Sequence, residues 1–328
     1  MPSRSGLTAV FACNQSDARI TVVESIHVQH RDPFTPYDET PSFDYSSFEA
    51  LPPSDEILPQ VVGEEFRHRL GTRPLDLTNW LPSDRETAPT IAMKRKLLAE
   101  RRDEVVSLFP GGDDVAQEAG ELVSQWAGCV STRNGIDALV DAALLVAEDL
   151  MVLKSIHTKD RHTDNSQELL FVAGVVCAPS RWRLADKMGL DMLKVHRPVP
   201  KYSEHIGAVV NTAMQRLAVD RPVWRSNWTL MDHPALFQPT LPAKPLVMHP
   251  DELWMRIERE TFRRLPQTGG LLFTIREFQQ PLVDYVRRGR DVAQTLRTLL
   301  QRLPDDVAHY KSILPYRAST IEWLGQFC

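Results

Sequence analysis

His196 is the side chain of this sequence whose surroundings best suit a metal ligand. Pro198 and Pro200 follow it closely and restrict the backbone behind the imidazole. Rigid placement is what a metal ligand needs, and neutral imidazole is a common ligand. His205, at the start of a predicted helix, is the second candidate. The alternatives are a hydrogen bond within a turn for His196 and an exposed first-turn position for His205.

Three arginines are candidates for binding carboxylate groups, because a guanidinium forks onto two oxygens. They are Arg181, Arg225 and Arg256. Ordinary surface ion pairing, which contributes little to stability, is the alternative. Arg256 alternates with Met255 and Ile257, and this period of two predicts that its side chain points outwards.

Glu258 is the candidate for acid–base chemistry or for holding a cationic ligand. Pairing with Arg225 or Arg259 across a sheet is the alternative. Asn227 and Trp228 are candidates for lining a pocket, with a plain core position as the alternative for the tryptophan.

The four cysteines, at positions 13, 129, 177 and 328, form no C-x-x-C pair. This spacing argues against a zinc or iron–sulfur site built by this chain alone and favours a reduced, cytoplasmic protein. Cys177 lies at the end of an apolar stretch. A thiolate ligand there is one interpretation, and a small buried hydrophobe is the other.

The elements that must position these residues alternate between helix and strand patterns. Apolar periodicity predicts helices over residues 85–108, 115–126, 136–150, 182–193 and 203–217, and again over 292–303 and 306–327. Runs rich in β-formers predict strands at 150–156, 169–177, 223–230, 253–258 and 271–275. The expected fold is α+β, an antiparallel sheet of about five strands with inserted and flanking helices.

Composition limits the classes of function. The net charge of −5 over 328 residues gives no reason to expect nucleic-acid binding. No apolar run approaches the roughly 20 residues that span a bilayer, so no membrane association is expected. Residues 1–60 are rich in Pro, Ser, Asp and Glu and are predicted to be an extended or partly disordered arm, with one domain over 61–328.

Three segments carry a family resemblance when they are taken together and in order. They are residues 177–200 with P-S-x-W and a histidine before P-V-P, residues 225–228 reading R-x-N-W, and residues 256–276 beginning R-x-E-R. The set resembles the haem-dependent oxidative N-demethylase alpha-subunit family. Glu260 departs from the family pattern, which has glutamine there.

The resemblance implies a PAS-like domain that binds haem b and uses dioxygen to oxidise a small amine. It implies that NADPH, FMN and a 2Fe-2S cluster act through partner reductase subunits, since this chain has no dinucleotide or cluster motif. His196 is then the expected iron ligand, with His205 as the alternative. Arg181, Arg225 and Arg256 become candidates for the haem propionates. A haem-PAS gas or redox sensor, or a PAS module without catalysis, is the rival function.

Overall fold

The computed structural model describes residues 66–84, 86–157 and 167–328. The predicted arm over residues 1–60 and the start of the predicted domain at residue 61 lie outside this range. Within it, helices and an antiparallel sheet combine as the α+β prediction expects. No helix in the described residues is long and apolar enough to cross a membrane.

Seven strands form one antiparallel sheet in the described part of the chain, ordered β1-β5-β6-β7-β3-β4-β2. They are β1 (Arg73–Pro74), β2 (Val106–Leu108), β3 (Asp149–His157), β4 (Gln167–Val175), β5 (Val223–Met231), β6 (Trp254–Arg264) and β7 (Leu271–Pro281). The prediction of about five strands accounts for the five long ones. It missed β1 and β2, the edge strands of two and three residues.

Helices precede, interrupt and follow the strands. They are α1 (Thr87–Glu100), α2 (Arg102–Val105), α3 (Asp113–Trp126), α4 (Gly135–Ala143), α5 (Met192–Val195), α6 (Ala208–Arg216), α7 (Leu282–Val286), α8 (Arg290–Arg302), α9 (Asp305–Tyr310) and α10 (Arg317–Leu324). A π-helical turn, Ser203–Gly207, leads into α6.

Two predicted helices end earlier than the sequence pattern suggested. The helix expected over residues 85–108 stops at Glu100, because Arg101 leaves helical geometry with φ −142°. After the short α2, Val106–Leu108 pair with β4 as a strand. The helix expected over 136–150 likewise stops at Ala143, and β3 begins at Asp149. In both places, pairing with a distant strand overrides local propensity.

One face of the sheet is covered by the insertion, which we define as residues 176–222 between β4 and β5. Tyr202 and Met214 of the insertion pack with Met151, Phe262 and Ile275 of the sheet in one buried cluster. Because side chains alternate along a strand, even-numbered residues of β6 and odd-numbered residues of β5 share this face. We call it the insertion face.

The opposite face carries two other buried clusters. Helices α1, α3 and α4 pack on it beside β3 and β4. The C-terminal helices α7 to α10 pack on it beside β5, β6 and β7, around Trp228, Ile257 and Phe278. Helices therefore cover both faces of the sheet, and the candidate residues divide between the two faces according to strand register.

Candidate functional site

Two cross-strand pairs place charged and polar side chains on the insertion face. The register sets Arg225 directly opposite Glu260 and Asn227 directly opposite Glu258. Arg225 Nη1 lies 3.4 Å from a Glu260 carboxylate oxygen. Asn227 Nδ2 donates to Glu258 Oε2 at 2.9 Å. The two predicted segments that contain these residues therefore come together as one polar patch.

Glu258 accepts hydrogen bonds on both carboxylate oxygens. Besides the bond from Asn227, Ser180 Oγ donates to Glu258 Oε1 at 2.6 Å. Lys311, which follows α9, donates to Asn227 Oδ1 at 3.3 Å and to the Trp228 carbonyl at 2.6 Å. Three separate parts of the chain, the insertion, β5 and the C-terminal helices, thus hold one carboxylate in place.

The charges of this patch are shifted by burial. Loss of solvent, reinforced by nearby Glu258 and opposed by Arg225, raises the pKa of Glu260 to about 6. Desolvation lowers the pKa of Lys311 to about 8, although Glu258 and Glu260 act in the opposite direction. Both groups therefore titrate closer to neutral pH than they would in water.

His196 lies at the C-terminal end of α5, where its ring is held from two sides. Its Nδ1 is 2.8 Å from the Met192 carbonyl, one helical turn back. The ring stacks on Tyr202 with centroids 4.3 Å apart and planes 9° apart. Since a carbonyl only accepts, Nδ1 carries the proton, and Nε2 keeps its lone pair. Burial lowers the pKa of His196 to about 4, which keeps the ring neutral.

Unpartnered polar atoms gather around His196. Among the described residues, no hydrogen-bond partner reaches His196 Nε2, the buried Tyr202 hydroxyl or the buried Nε of Arg225. Arg225 acts electrostatically on both His196 and Tyr202, so its charge lies within range of both rings. Buried donors without partners are uncommon in folded proteins, and they indicate a place where a ligand supplies the missing bonds.

His205 is held differently from His196. It lies in the π-helical turn, and its Nδ1 accepts a 3.4 Å hydrogen bond from the His68 backbone amide. The His68 ring lies 5.7 Å from that of His205, and His68 Nε2 is 2.8 Å from the Pro200 carbonyl. An accepting Nδ1 places the proton of neutral His205 on Nε2, so neither nitrogen offers a free lone pair.

All three predicted arginines have acidic partners, and the pair of Arg225 with Glu260 is the most widely spaced. Arg256 is fully buried, so the expectation that it points outwards is wrong. Its guanidinium donates to Glu277 and to the carbonyls of Leu236 and Ala178. Arg181 forms a buried ion pair with Asp232.

Trp228 and Cys177 occupy core positions. Trp228 lies in the cluster under the C-terminal helices, on the face opposite Asn227. Cys177 is fully buried, and its backbone amide donates to Asp149. Burial, with a further contribution from Asp149, raises the pKa of the Cys177 thiol, which disfavours the thiolate that metal binding requires. No group of three or more His, Cys, Asp or Glu side chains suited to a metal ion occurs in the residues the structure describes.

Four residues of the patch and its surroundings were not predicted as site residues: His68, Ser180, Tyr202 and Lys311. Ser180 and Tyr202 lie in or next to the motifs that carry the family resemblance, so their positions in the sequence could have identified them as site residues. His68 and Lys311 come from distant parts of the chain. Only the folded structure brings them to the insertion face and β5.

The chain was compared with models of known protein families. The model described as haem-dependent oxidative N-demethylase, alpha subunit-like, matches residues 124–321, which is more than half of the chain. The matched range includes Ser180, His196, Arg225, Glu258 and Lys311. His68 lies outside it.

Proposed function

The chain belongs to the haem-dependent oxidative N-demethylase, alpha subunit-like family, and from this premise we propose that it binds haem b through His196 and oxidises a small amine with dioxygen. The observation that carries the proposal is the state of His196. Its Nδ1 is bonded to a backbone carbonyl, its ring is neutral, and its Nε2 is free. Metal-binding histidines typically have this arrangement, because the second nitrogen fixes the tautomer and the ring orientation.

The neighbouring residues fit a haem group. Tyr202 Oη and Arg225 Nε are buried donors without partners, and the two propionates of haem are acceptors. Tyr202, which stacks on His196, belongs to the buried apolar cluster with Met151, Phe262 and Ile275, so the surroundings of the imidazole are apolar, as a porphyrin requires. Arg181 and Arg256 hold their acidic partners Asp232 and Glu277 more closely than Arg225 holds Glu260, whose nearest oxygen is 3.4 Å away. Arg225 is therefore the better candidate for the propionates.

Haem, when bound, would supply the iron at which dioxygen is reduced. The chain's own groups would bind and orient the amine. Glu258 accepts hydrogen bonds on both oxygens, and carboxylate oxygens have further lone pairs for the N–H groups of a protonated amine. Asn227 and Ser180 keep that carboxylate in a fixed orientation. NADPH would deliver electrons through FMN and 2Fe-2S partner subunits, as expected for an alpha subunit.

An absorption spectrum tests the haem part of the proposal. Protein reconstituted with hemin should bind about one haem per chain and show a Soret band that shifts on reduction and on addition of carbon monoxide. Reconstituted protein without such a band would contradict haem binding and would favour a PAS module for another small molecule.

Product analysis tests the enzymatic part. With NADPH, a competent reductase and a small secondary amine, the haem-loaded protein should release formaldehyde. A haem spectrum without amine-dependent formaldehyde release, under conditions where the iron is demonstrably reduced, would instead favour a gas or redox sensor.

A further inference from the structure

A chain of directed hydrogen bonds connects the C-terminal helices to Glu258. Lys311 Nζ donates to Asn227 Oδ1 at 3.3 Å, and Asn227 Nδ2 donates to Glu258 Oε2 at 2.9 Å. Ser180 Oγ closes the other end with its 2.6 Å bond to Glu258 Oε1. The chain joins three segments that are distant in sequence.

The direction of each bond is determined by the ammonium group at one end. A lysine ammonium only donates, so the Asn227 side chain must present its oxygen to Lys311. The amide NH₂ then faces Glu258, whose Oε2 must accept. Without Lys311, Asn227 Oδ1 would lose its charged donor, and only the bond to Glu258 would hold the amide in this orientation.

The charged surroundings of Glu258 make such support necessary. Glu260 lies on the same strand and the same face, and Glu277 lies directly opposite on β7. Both carboxylates interact unfavourably with Glu258, and the Tyr310 hydroxyl also lies within its electrostatic range. The neighbouring cations are divided among these carboxylates: Arg225 pairs with Glu260 and Arg256 with Glu277, while Lys311 acts electrostatically on both Glu258 and Glu260.

Lys311 also makes contacts outside the hydrogen-bond chain, and these contacts hold the C-terminal helices against β5. Its Nζ donates to the Trp228 carbonyl and lies 5.4 Å from the centroid of the Trp228 ring. Separately, Thr229 Oγ1 lies 3.3 Å from the Lys311 carbonyl. The Thr229 contact holds the same backbone without touching the ammonium group, so it allows docking to be tested apart from the hydrogen-bond chain.

We propose that Lys311 is a positioning residue for Glu258, acting through the Asn227 amide. This inference rests on the proposed function in so far as Glu258 binds the amine. It assigns the C-terminal helices a part in the site on the insertion face, although those helices pack on the other face of the sheet. Lys311 itself need not touch the amine.

Binding of dimethylammonium, used as the smallest secondary ammonium ion, provides the first test. Calorimetric titration of the haem-loaded Lys311→Met variant should give a dissociation constant about tenfold higher than that of the unchanged protein, the effect of losing one charge-assisted hydrogen bond. Lys311→Arg keeps a charged donor and should restore most of the affinity. Thr229→Val, the docking control, should bind like the unchanged protein.

Equal affinity in Lys311→Met and the unchanged protein would overturn the proposal. So would a Thr229→Val variant that binds as weakly as Lys311→Met, because docking alone would then explain the loss. If the unchanged protein does not bind dimethylammonium, the amine-binding part of the proposed function fails, and a second experiment decides the role of Lys311.

That second experiment is a double-mutant cycle that requires no ligand. The unfolding equilibrium constants of Lys311→Met, Glu258→Gln and the double variant should be non-additive by about tenfold, as expected for residues in one hydrogen-bond network. The non-additivity should fall to the smaller, direct charge–charge contribution when the cycle is repeated with Asn227→Leu, which removes the connecting amide. An additive cycle, or coupling that keeps its full size without the amide, would overturn the positioning role.

Discussion

At His196 a single hydrogen bond determines which ring nitrogen carries the proton and which keeps a lone pair. The Met192 carbonyl fixes the proton on Nδ1, and stacking on Tyr202 fixes the plane of the ring. A half-turn of the ring would keep the stacking on Tyr202 but lose the hydrogen bond to the Met192 carbonyl. For the proposed role as an iron ligand, this fixed orientation would lower the entropic cost of binding.

If His196 ligates the iron as proposed, replacing it by alanine should change the ferric spectrum of the haem-loaded protein and weaken haem retention. His205→Ala is the matched comparison and should leave the coordination spectrum nearly unchanged. Imidazole added to the His196→Ala protein should restore the native spectrum. The opposite pattern, with rescue only in His205→Ala, would identify His205 as the ligand.

Glu260 is expected to make stability depend on pH. Its pKa rises from an ordinary value of 4.5 to about 6 on folding, so between these values the folded state binds more protons than the unfolded state. Stability contributed by this group is present below pH 4.5 and is lost as the pH rises through 6. The shift corresponds to about 2 kcal/mol.

The Glu260→Gln variant measures this contribution by urea unfolding at several pH values. Relative to the unchanged protein, the variant should gain about 2 kcal/mol of stability between about pH 3.5 and pH 7, most of it between pH 4.5 and pH 6. Glu204→Gln, which alters an exposed carboxylate of the insertion, should produce no such change. A stability difference that is independent of pH would contradict the effect of burial on Glu260.

At the scale of elements, Gly189 fixes the path of the insertion towards His196. Its φ of +73° is in the left-handed region, and a Cβ there would lie 2.5 Å from the Phe109 ring. Its amide donates to the Phe171 carbonyl of β4 at 2.8 Å. The chain thus turns against the sheet shortly before α5, at a position that only glycine occupies without strain.

Gly189→Ala should therefore destabilise the protein through both backbone strain and steric overlap. Gly128→Ala provides the matched control, because Gly128 also has a φ of +73° but a Cβ there would meet nothing within 4 Å. The control should lose about 1–2 kcal/mol of unfolding free energy from backbone strain alone. Gly189→Ala should lose about 1–3 kcal/mol more from overpacking. If denaturant unfolding gave the same loss of unfolding free energy for both variants, Phe109 would have to move aside at no cost.

The long strands and the antiparallel α+β class could be predicted from the sequence, because β-forming runs and alternation mark them locally. The two edge strands could not. Val106–Leu108 continue a helical pattern, and Arg73–Pro74 contain a proline; both become strands only through partners distant in sequence. The same applies to the shortened helix after Ala143, whose end is set by the pairing of β3 with β7.

Part of the site was also predictable. The motifs identified His196, Arg225, Asn227 and Glu258 as candidates. They did not indicate which of these side chains lie opposite one another in the sheet. The register of β5 on β6 decides that Glu258 meets Asn227, and not Arg225 or Arg259. Lys311 lies 84 residues from Asn227, so only tertiary packing connects them.

At the scale of the whole molecule, the chain is expected to depend on another protein for electrons. The purified, haem-loaded chain mixed with NADPH and a secondary amine should release no formaldehyde, because its sequence has no dinucleotide, flavin or cluster motif. Adding a flavin and iron–sulfur reductase should start turnover. Sustained NADPH oxidation by the chain alone would contradict the division of labour that the name alpha subunit implies.

The two short edge strands have a consequence for self-association. Exposed edges of long strands invite strands from other molecules, and this route leads to aggregation. On the β5 side, β1 covers only the first two residues and contains a proline, while the C-terminal segment bonds to the carbonyls of Trp228 and Leu230. On the β4 side, Leu190 and Gly189 bond to Phe171. These chain segments thus shield backbone groups with which a strand of a neighbouring molecule could otherwise pair. Removing the C-terminal segment is therefore expected to promote aggregation.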